Sequence, residues 1–339
     1  MNIKDKSGWL FPNPEMNEKH TFTDEEIEQL FQLSKQEEVW VNNVKSEVEH
    51  YDKNPPAGGG EFIANMSRVM NTGGTIISYP YGLDIITFPS RRHFFRGELG
   101  IHDNCVPSLN RKLKGKSEKE KLLLRAVADM RINQFADFIW KLHIIPYWEA
   151  KLSDVNYIAL GQHYGFDTNL LDLTNDVMTA LFFATCVYDK DTNKYRPLTK
   201  EECDQKEYGV IFHTPNWKID INNVNIEISD KIMKYIHDNP NQPINIESGA
   251  LDGIAFQIGM QPLMRCHHQS GYILPMIKDK PLEDNWEFEK LYIKLTPELS
   301  EKIFNMMDKG NKVFPNEGID EALPILYKIK IVWSFLKMI

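Results

Sequence analysis

The chain has 339 residues with 39 Lys+Arg against 48 Asp+Glu, a formal net charge of −9, and 42% apolar, 11% aromatic and 26% charged residues. That is ordinary globular composition, long enough for one large domain or two smaller ones and for a core that needs neither disulfides nor a structural metal. The acidic balance excludes broad electrostatic adhesion to duplex DNA or anionic lipid, both led by Lys/Arg surplus, but leaves room for a local basic pocket around one phosphate-bearing small molecule.

Residues 1–60 read as a helical appendage. Thr23 and Glu26 form a capping-box signature, and Ile27, Leu30, Phe31 and Leu33 then recur near helical spacing. The run Pro55-Pro56-Ala57-Gly58-Gly59-Gly60 cannot hold regular structure and marks a linker or ordered loop before a main domain over 61–339. Strand-like segments follow at Thr75 to Tyr79, Asp84 to Phe88 and His93 to Phe95. Ser117 and Glu120 give a second capping box, leading into a helix whose apolar load continues through Phe135, Phe138, Ile139 and Leu142.

A short helix is expected over Tyr157 to His163, stopping at Gly165, then a short buried strand at Leu170-Leu171 and an apolar helix over Asp176 to Tyr188 capped by Thr174 or Asn175. Further strands are expected at Gly209 to His213, Gly253 to Ile258, Tyr272 to Ile277 and Leu291 to Leu295. Thr296 caps a last helix with Pro297 at its first position and Gly310 past its end. Strands and helices without regular βαβ alternation indicate an α+β fold.

The first twenty residues contain no apolar run of the secretory type, and the longest apolar stretches, Ala180 to Tyr188 and Ile331 to Leu336, fall short of the about 20 residues that span a bilayer. Cys105, Cys186, Cys203 and Cys266 include no C-x-x-C pair, which fits free thiols in a reducing compartment. The expectation is a cytoplasmic protein without membrane contact.

Common chemical templates are absent: no G-x-G-x-x-G, no G-x-x-x-x-G-K-[ST], no G-x-S-x-G and no H-E-x-x-H. Cys266-His267-His268 has metal-like composition, but adjacent residues on a strand point to opposite faces, so no metal site is expected. Neither His102-Asp103 nor His163 has a partner that would complete a Ser-His-Asp assembly.

Three segments remain. In Arg91 to Glu98, Phe94 and Arg96 share one side of a strand and Gly97 permits close backbone approach. Arg96 there suits a phosphate or planar amide, or simply pairs with a carboxylate such as Glu98. In Gly161 to Thr174, an amide, an imidazole and a phenol (Gln162, His163, Tyr164) precede a strand on which Asp172 and Thr174 face the same side before a helix start, a natural anion site. In Arg265 to Tyr272, Gln269 either orients a ligand hydroxyl or satisfies a buried loop carbonyl.

Together these segments resemble the FRG family, named for an aromatic-Arg-Gly motif that matches Phe95-Arg96-Gly97. The family's second block resembles Gln162 to Gly165, Thr168 to Thr174 and Ala180 to Ala184, with Asn169 standing for the usual Arg and Leu173 for the usual Trp. Later family positions match Arg265, Gln269 and Gly271, and then Leu299 to Pro315, so the likeness spans roughly 90–330. A weaker resemblance is to ADP-ribosyltransferases of the Arg–Ser–Glu type, through Arg96-Gly97, Asp172-x-Thr174 and Gln269 in that order.

That second resemblance implies an ADP-ribosyltransferase-like mixed or antiparallel sheet core with flanking helices, and NAD as substrate with no metal. Arg96 would contact the phosphates or ribose, and the Gly97 backbone the nicotinamide amide. Tyr164 or Tyr272 would stack on the nicotinamide, Gln162 and His163 would help bind the cofactor, Thr174 would support the site, and Gln269 would hold the ribose 2′-hydroxyl. Gln269 is neutral where that type bears Glu, which leaves Asp172 as the nearest carboxylate for an oxocarbenium-like transition state. The implied activity is ADP-ribosyl transfer to a protein or RNA acceptor, or NAD hydrolysis, in a toxin or phage-defence setting. The alternative is a non-catalytic nucleotide or peptide sensor using the same pocket.

Overall fold

One seven-stranded sheet carries the site, and its strand segments Leu170–Thr174 and Gly271–Pro275, rich in apolar residues, are almost wholly buried. A computed structural model of the chain describes residues 19–20, 22–32, 74–79, 82–87, 93–102, 104–151, 155–215, 255–258, 261–263, 265–269, 271–276, 280–285 and 288–315, with a few positions within 234–238 and 325–329. Leu33, the Pro-Gly run at 55–60 and the strand positions 253–254 lie outside the described residues.

In chain order the first elements are β1 (Lys19–His20), helix α1 over 24–32, β2 (Gly74–Tyr79), β3 (Gly82–Thr87) and β4 (His93–Glu98). Helices α2 (Ser108–Leu113), α3 (Glu118–Ile139), α4 (Ile144–Lys151) and α5 (Tyr157–His163) follow. Then come β5 (Leu170–Thr174), α6 (Val177–Thr185), β6 (Cys186–Asp189), β7 (Lys194–Pro197), α7 (Lys200–Lys206) and β8 (Tyr208–Pro215). The chain continues through β9 (Phe256–Gln257), α8 (Arg265–His268), β10 (Gly271–Pro275), α9 (Leu282–Asn285), β11 (Glu289–Lys294) and α10 (Pro297–Met306).

The main sheet runs β1-β11-β8-β4-β5-β10-β9, parallel only between β1 and β11, and β2–β3 and β6–β7 form separate two-stranded sheets. The fold is therefore α+β, with antiparallel sheets and flanking helices. Among the described residues no helix is long and apolar enough to cross a membrane.

Local signals act where the sequence places them. Thr23 and Glu26 exchange backbone and side-chain hydrogen bonds at the start of α1, and Ser117 and Glu120 do the same at α3. Thr296 Oγ1 accepts from Leu299 N at 3.1 Å, with Pro297 opening α10. Residues 19–32, inside the stretch read as an appendage, add β1 to the sheet edge and place Phe22, Ile27 and Leu30 in the main core.

Four local expectations are corrected. Strand β5 runs on to Thr174, because Asp172 and Thr174 continue the pairing with β10. Helix α6 is capped by Asp176, whose carboxylate accepts from Met178 N and Thr179 N at 3.1 and 2.9 Å, and not by Thr174 or Asn175. The same helix ends at Thr185, where Cys186 turns extended and begins a hairpin with β7, so 186–188 are strand. Arg265–His268 is a single helical turn instead of a strand, with Cys266 buried and His268 exposed.

Helix α6 lies directly on the sheet. Cβ atoms built on Gly97 of β4 and Gly209 of β8 would overlap the backbone carbonyls of Ala180 and Ala184, so both glycines let α6 approach within backbone contact. Beside that contact a single cross-strand row runs Thr174, Phe95, His213 and Glu289 through β5, β4, β8 and β11. His213 stacks on Phe95 at 4.8 Å and meets the Glu289 carboxyl, with both groups of that pair fully buried. Burial pushes the His213 imidazole below its ordinary value.

Replacing Gly97 by Ala is expected to destabilise the fold by about 3 kcal/mol or more, because the obstruction is backbone and cannot swing away. Urea unfolding of Gly97→Ala measures this; a loss below about 1 kcal/mol would show that α6 can lift without cost.

Candidate functional site

The cleft arises where β4 and β5 part. These strands pair only at Phe95 and Thr174. Beyond that point the Asp172 carbonyl accepts from Arg96 Nη1 at 2.8 Å, a side chain supplying the donor that a neighbouring strand would have given. Arg96 Nε donates to Glu98 Oε1 at 2.9 Å, and the Cys105 thiol donates to the same oxygen at 3.3 Å. The pairing of Arg96 with Glu98, one of two alternatives left by the sequence, is thus present.

Electrostatics hold this unit together. Burial alone would raise the Glu98 carboxyl, but the Arg96 charge and hydrogen bonds from Cys105 and Arg96 outweigh it and hold the group below its ordinary range. Burial pushes the Cys105 thiol up to about 12, so it stays protonated as a hydrogen-bond donor and is no nucleophile at neutral pH.

Arg96, Gly97, His163, Asp172, Thr174 and Gln269 all line one cleft of about 420 Å³. Within it the Asp172 side chain is 38% exposed, and its Oδ1 lies 4.0 Å from Nε2 of the buried His163 ring. Thr174 Oγ1 donates to the Gln269 carbonyl at 2.7 Å and accepts from Asp176 N at 3.0 Å, tying β5 to the turn before β10. The Gln269 side chain donates to the Val313 carbonyl at 2.9 Å and is buried, so its amide nitrogen is spent on the loop after α10. That is the loop-satisfying alternative for Gln269.

Three expected residues do not line the cleft. Gln162 accepts from Thr168 Oγ1 at 2.5 Å. The Tyr164 ring packs under the Arg265 guanidinium, 4.5 Å away, which lies 3.6 Å over Phe314 on its other side. Tyr272 is 2% exposed and meets Phe94 edge-on at 4.9 Å. Both tyrosines belong to the core, and neither ring is placed to stack on a ligand in the cleft.

Other groups fill those roles in the lining. Phe183, Tyr188 and Tyr195, from α6 and the β6–β7 hairpin, supply aromatic surface, and His102 and Arg111 supply basic groups. Phe183 lies on α6 itself, and Tyr188 and Tyr195 come together only because the chain turns extended at Cys186, inside the stretch expected to be helix. The Tyr188–Asn193 hydrogen bond and the tight turn at Asn193, with φ of 53°, are the signals that mark this hairpin. Asn169, where the FRG pattern has Arg, faces a separate groove along α3, whereas Leu173, where it has Trp, lines the cleft. Among the described residues no three His, Cys, Asp or Glu side chains gather closely enough to hold a metal ion.

The family model of the FRG domain matches residues 91–193. That match to the FRG domain covers less than half of the chain. That matched segment holds β4 through the start of the β6–β7 hairpin, and so contributes Arg96, Glu98, Arg111, His163, Asp172 and Thr174 to the site, while Gln269 comes from beyond it. Comparison with curated proteins and with solved structures found no match.

The depressed Glu98 carboxyl sets a pH dependence. Its stabilisation is complete above the ordinary carboxylate value of 4.5 and is lost as pH falls through the lower folded-state value. Glu98→Gln should therefore be less stable than the parent at pH 7, with the gap closing in thermal unfolding as pH falls below 4.5. A gap independent of pH would show that the Arg96–Glu98 pair carries no net charge stabilisation.

Proposed function

We propose that the FRG cleft binds NAD and breaks its bond between the ribose C1′ and the nicotinamide nitrogen, passing ADP-ribose to a protein or RNA acceptor or to water. The observation that carries this reading is the convergence of Arg96, Asp172, Thr174 and Gln269, spread over more than 170 residues, on one cleft with a half-exposed carboxylate at its wall. In this account the bonding electrons leave with nicotinamide, which departs neutral. The developing oxocarbenium faces Asp172, whose negative charge stabilises it, and the nucleophile that adds to C1′ releases its proton. His163 lies beside Asp172 in the same wall, and Phe183, Tyr188 and Tyr195 provide surface for a flat heterocycle. The order of Arg-Gly, Asp-x-Thr and Gln along an antiparallel core supports an ADP-ribosyltransferase-like arrangement, with NAD consumption as the toxin or phage-defence chemistry.

A second reading is a non-catalytic nucleotide or peptide sensor. It is favoured by the engagement of Arg96 with Glu98 and of Gln269 with Val313, which places two expected catalytic groups in structural service. Incubating the full chain with NAD labelled in the adenine and in the nicotinamide ring separates the two. Nicotinamide release that falls by at least about 100-fold in Asp172→Asn supports the enzyme. Calorimetric NAD binding without release supports the sensor, and neither binding nor release overturns both the enzyme and an NAD sensor.

A further inference from the structure

The cleft needs a cation for a phosphate, and the expected one is already engaged. Two of the three nitrogens of Arg96 are bound, one to Glu98 and one to the Asp172 carbonyl, and the Glu98 carboxylate matches its charge. Arg111 lines the same cleft from the last turn of α2 and is exposed. Its side chain makes no hydrogen bond or ion pair among the described residues. Neighbouring cations differ: Lys112 meets Asp167, and Arg131 lies 3.7 Å from the same carboxylate.

The mount of Arg111 is rigid. Leu109, Asn110 and Leu113 are buried beneath α2, Leu109 N donates to the Thr168 carbonyl at 3.1 Å, and Asn110 Nδ2 donates to the Met276 carbonyl at 2.9 Å. These contacts tie the helix to the segments just before β5 and just after β10, and Arg111 lines the cleft. On a chain of net charge −9, a local, unmatched guanidinium attracts an anion that the chain as a whole repels, and it presents a fork suited to two phosphate oxygens.

We propose that Arg111, with Arg96 serving as a structural tie, holds the diphosphate of the ligand in this cleft. The proposal deepens the dinucleotide reading and rests on it for the nature of the ligand. Calorimetry on the full chain tests it with NAD, ADP-ribose, inorganic pyrophosphate and nicotinamide riboside, the last lacking any phosphate.

Arg111→Gln should weaken ADP-ribose and pyrophosphate binding by about 10-fold or more and leave nicotinamide riboside unchanged. Arg111→Lys should recover part of the loss, and Arg125→Gln, which removes the same charge from the separate groove along α3, should retain the parent affinities. Unchanged ADP-ribose affinity in Arg111→Gln overturns the proposal, as does an equal loss for nicotinamide riboside. Pyrophosphate binding that depends on Arg111, without any NAD binding, upholds the anion site and removes the dinucleotide reading. NAD binding indifferent to Arg111 does the reverse, and a parent chain that binds none of the four ends both.

Discussion

A sheet that opens between two adjacent strands must satisfy the backbone groups it strands, and Arg96 does this. Leaving a part-buried carbonyl without a donor costs about 1–3 kcal/mol, and the Arg96 guanidinium removes that cost at Asp172 by reaching across from β4. Its charge then requires a counter-charge, supplied by Glu98 two residues along the same strand, and the buried face of Glu98 requires a further donor, supplied by Cys105. One opening thus fixes three side chains and turns the Asp172 carboxylate toward the cleft with its backbone held from behind.

The rest of the architecture frames that opening. Gly97 and Gly209 bring α6 onto the sheet, and the Asp176 cap starts the helix immediately after β5 ends. Thr174 joins the same corner to the turn before β10, and Gln269 joins that turn to Val313 after α10. The buried row from Thr174 through Phe95 and His213 to Glu289 ties the corner to the far strand β11, so elements from both halves of the chain meet at one wall.

Much of this was legible because the signals are short-range. Capping boxes at Thr23 and Ser117, Pro297 after Thr296, and alternation in β4 all depend on residues within a few positions of one another, and the structure contains each. What failed was a boundary inside an apolar run: 180–188 carry the same hydrophobicity as helix and as strand, and only the pairing of 186–189 with 194–197 divides them. The site followed the same rule. Arg96, His163, Asp172 and Thr174 were placed by motif spacing, whereas the services performed by Gln269, Tyr164 and Tyr272 depend on Val313, Arg265 and Phe94, partners that local sequence does not indicate. Tyr188 and Tyr195 went unseen for the reason that their hairpin did.

The central claim is that the parting of β4 and β5 creates a ligand site with Asp172 at its reacting end. A crystal structure of the full chain with bound ADP-ribose tests this most directly. The account predicts the ribose C1′ beside the Asp172 carboxylate with Arg96 still joined to Glu98 and to the Asp172 carbonyl. ADP-ribose bound in the groove along α3, or an Arg96 that leaves Glu98 to take the phosphates, would contradict it.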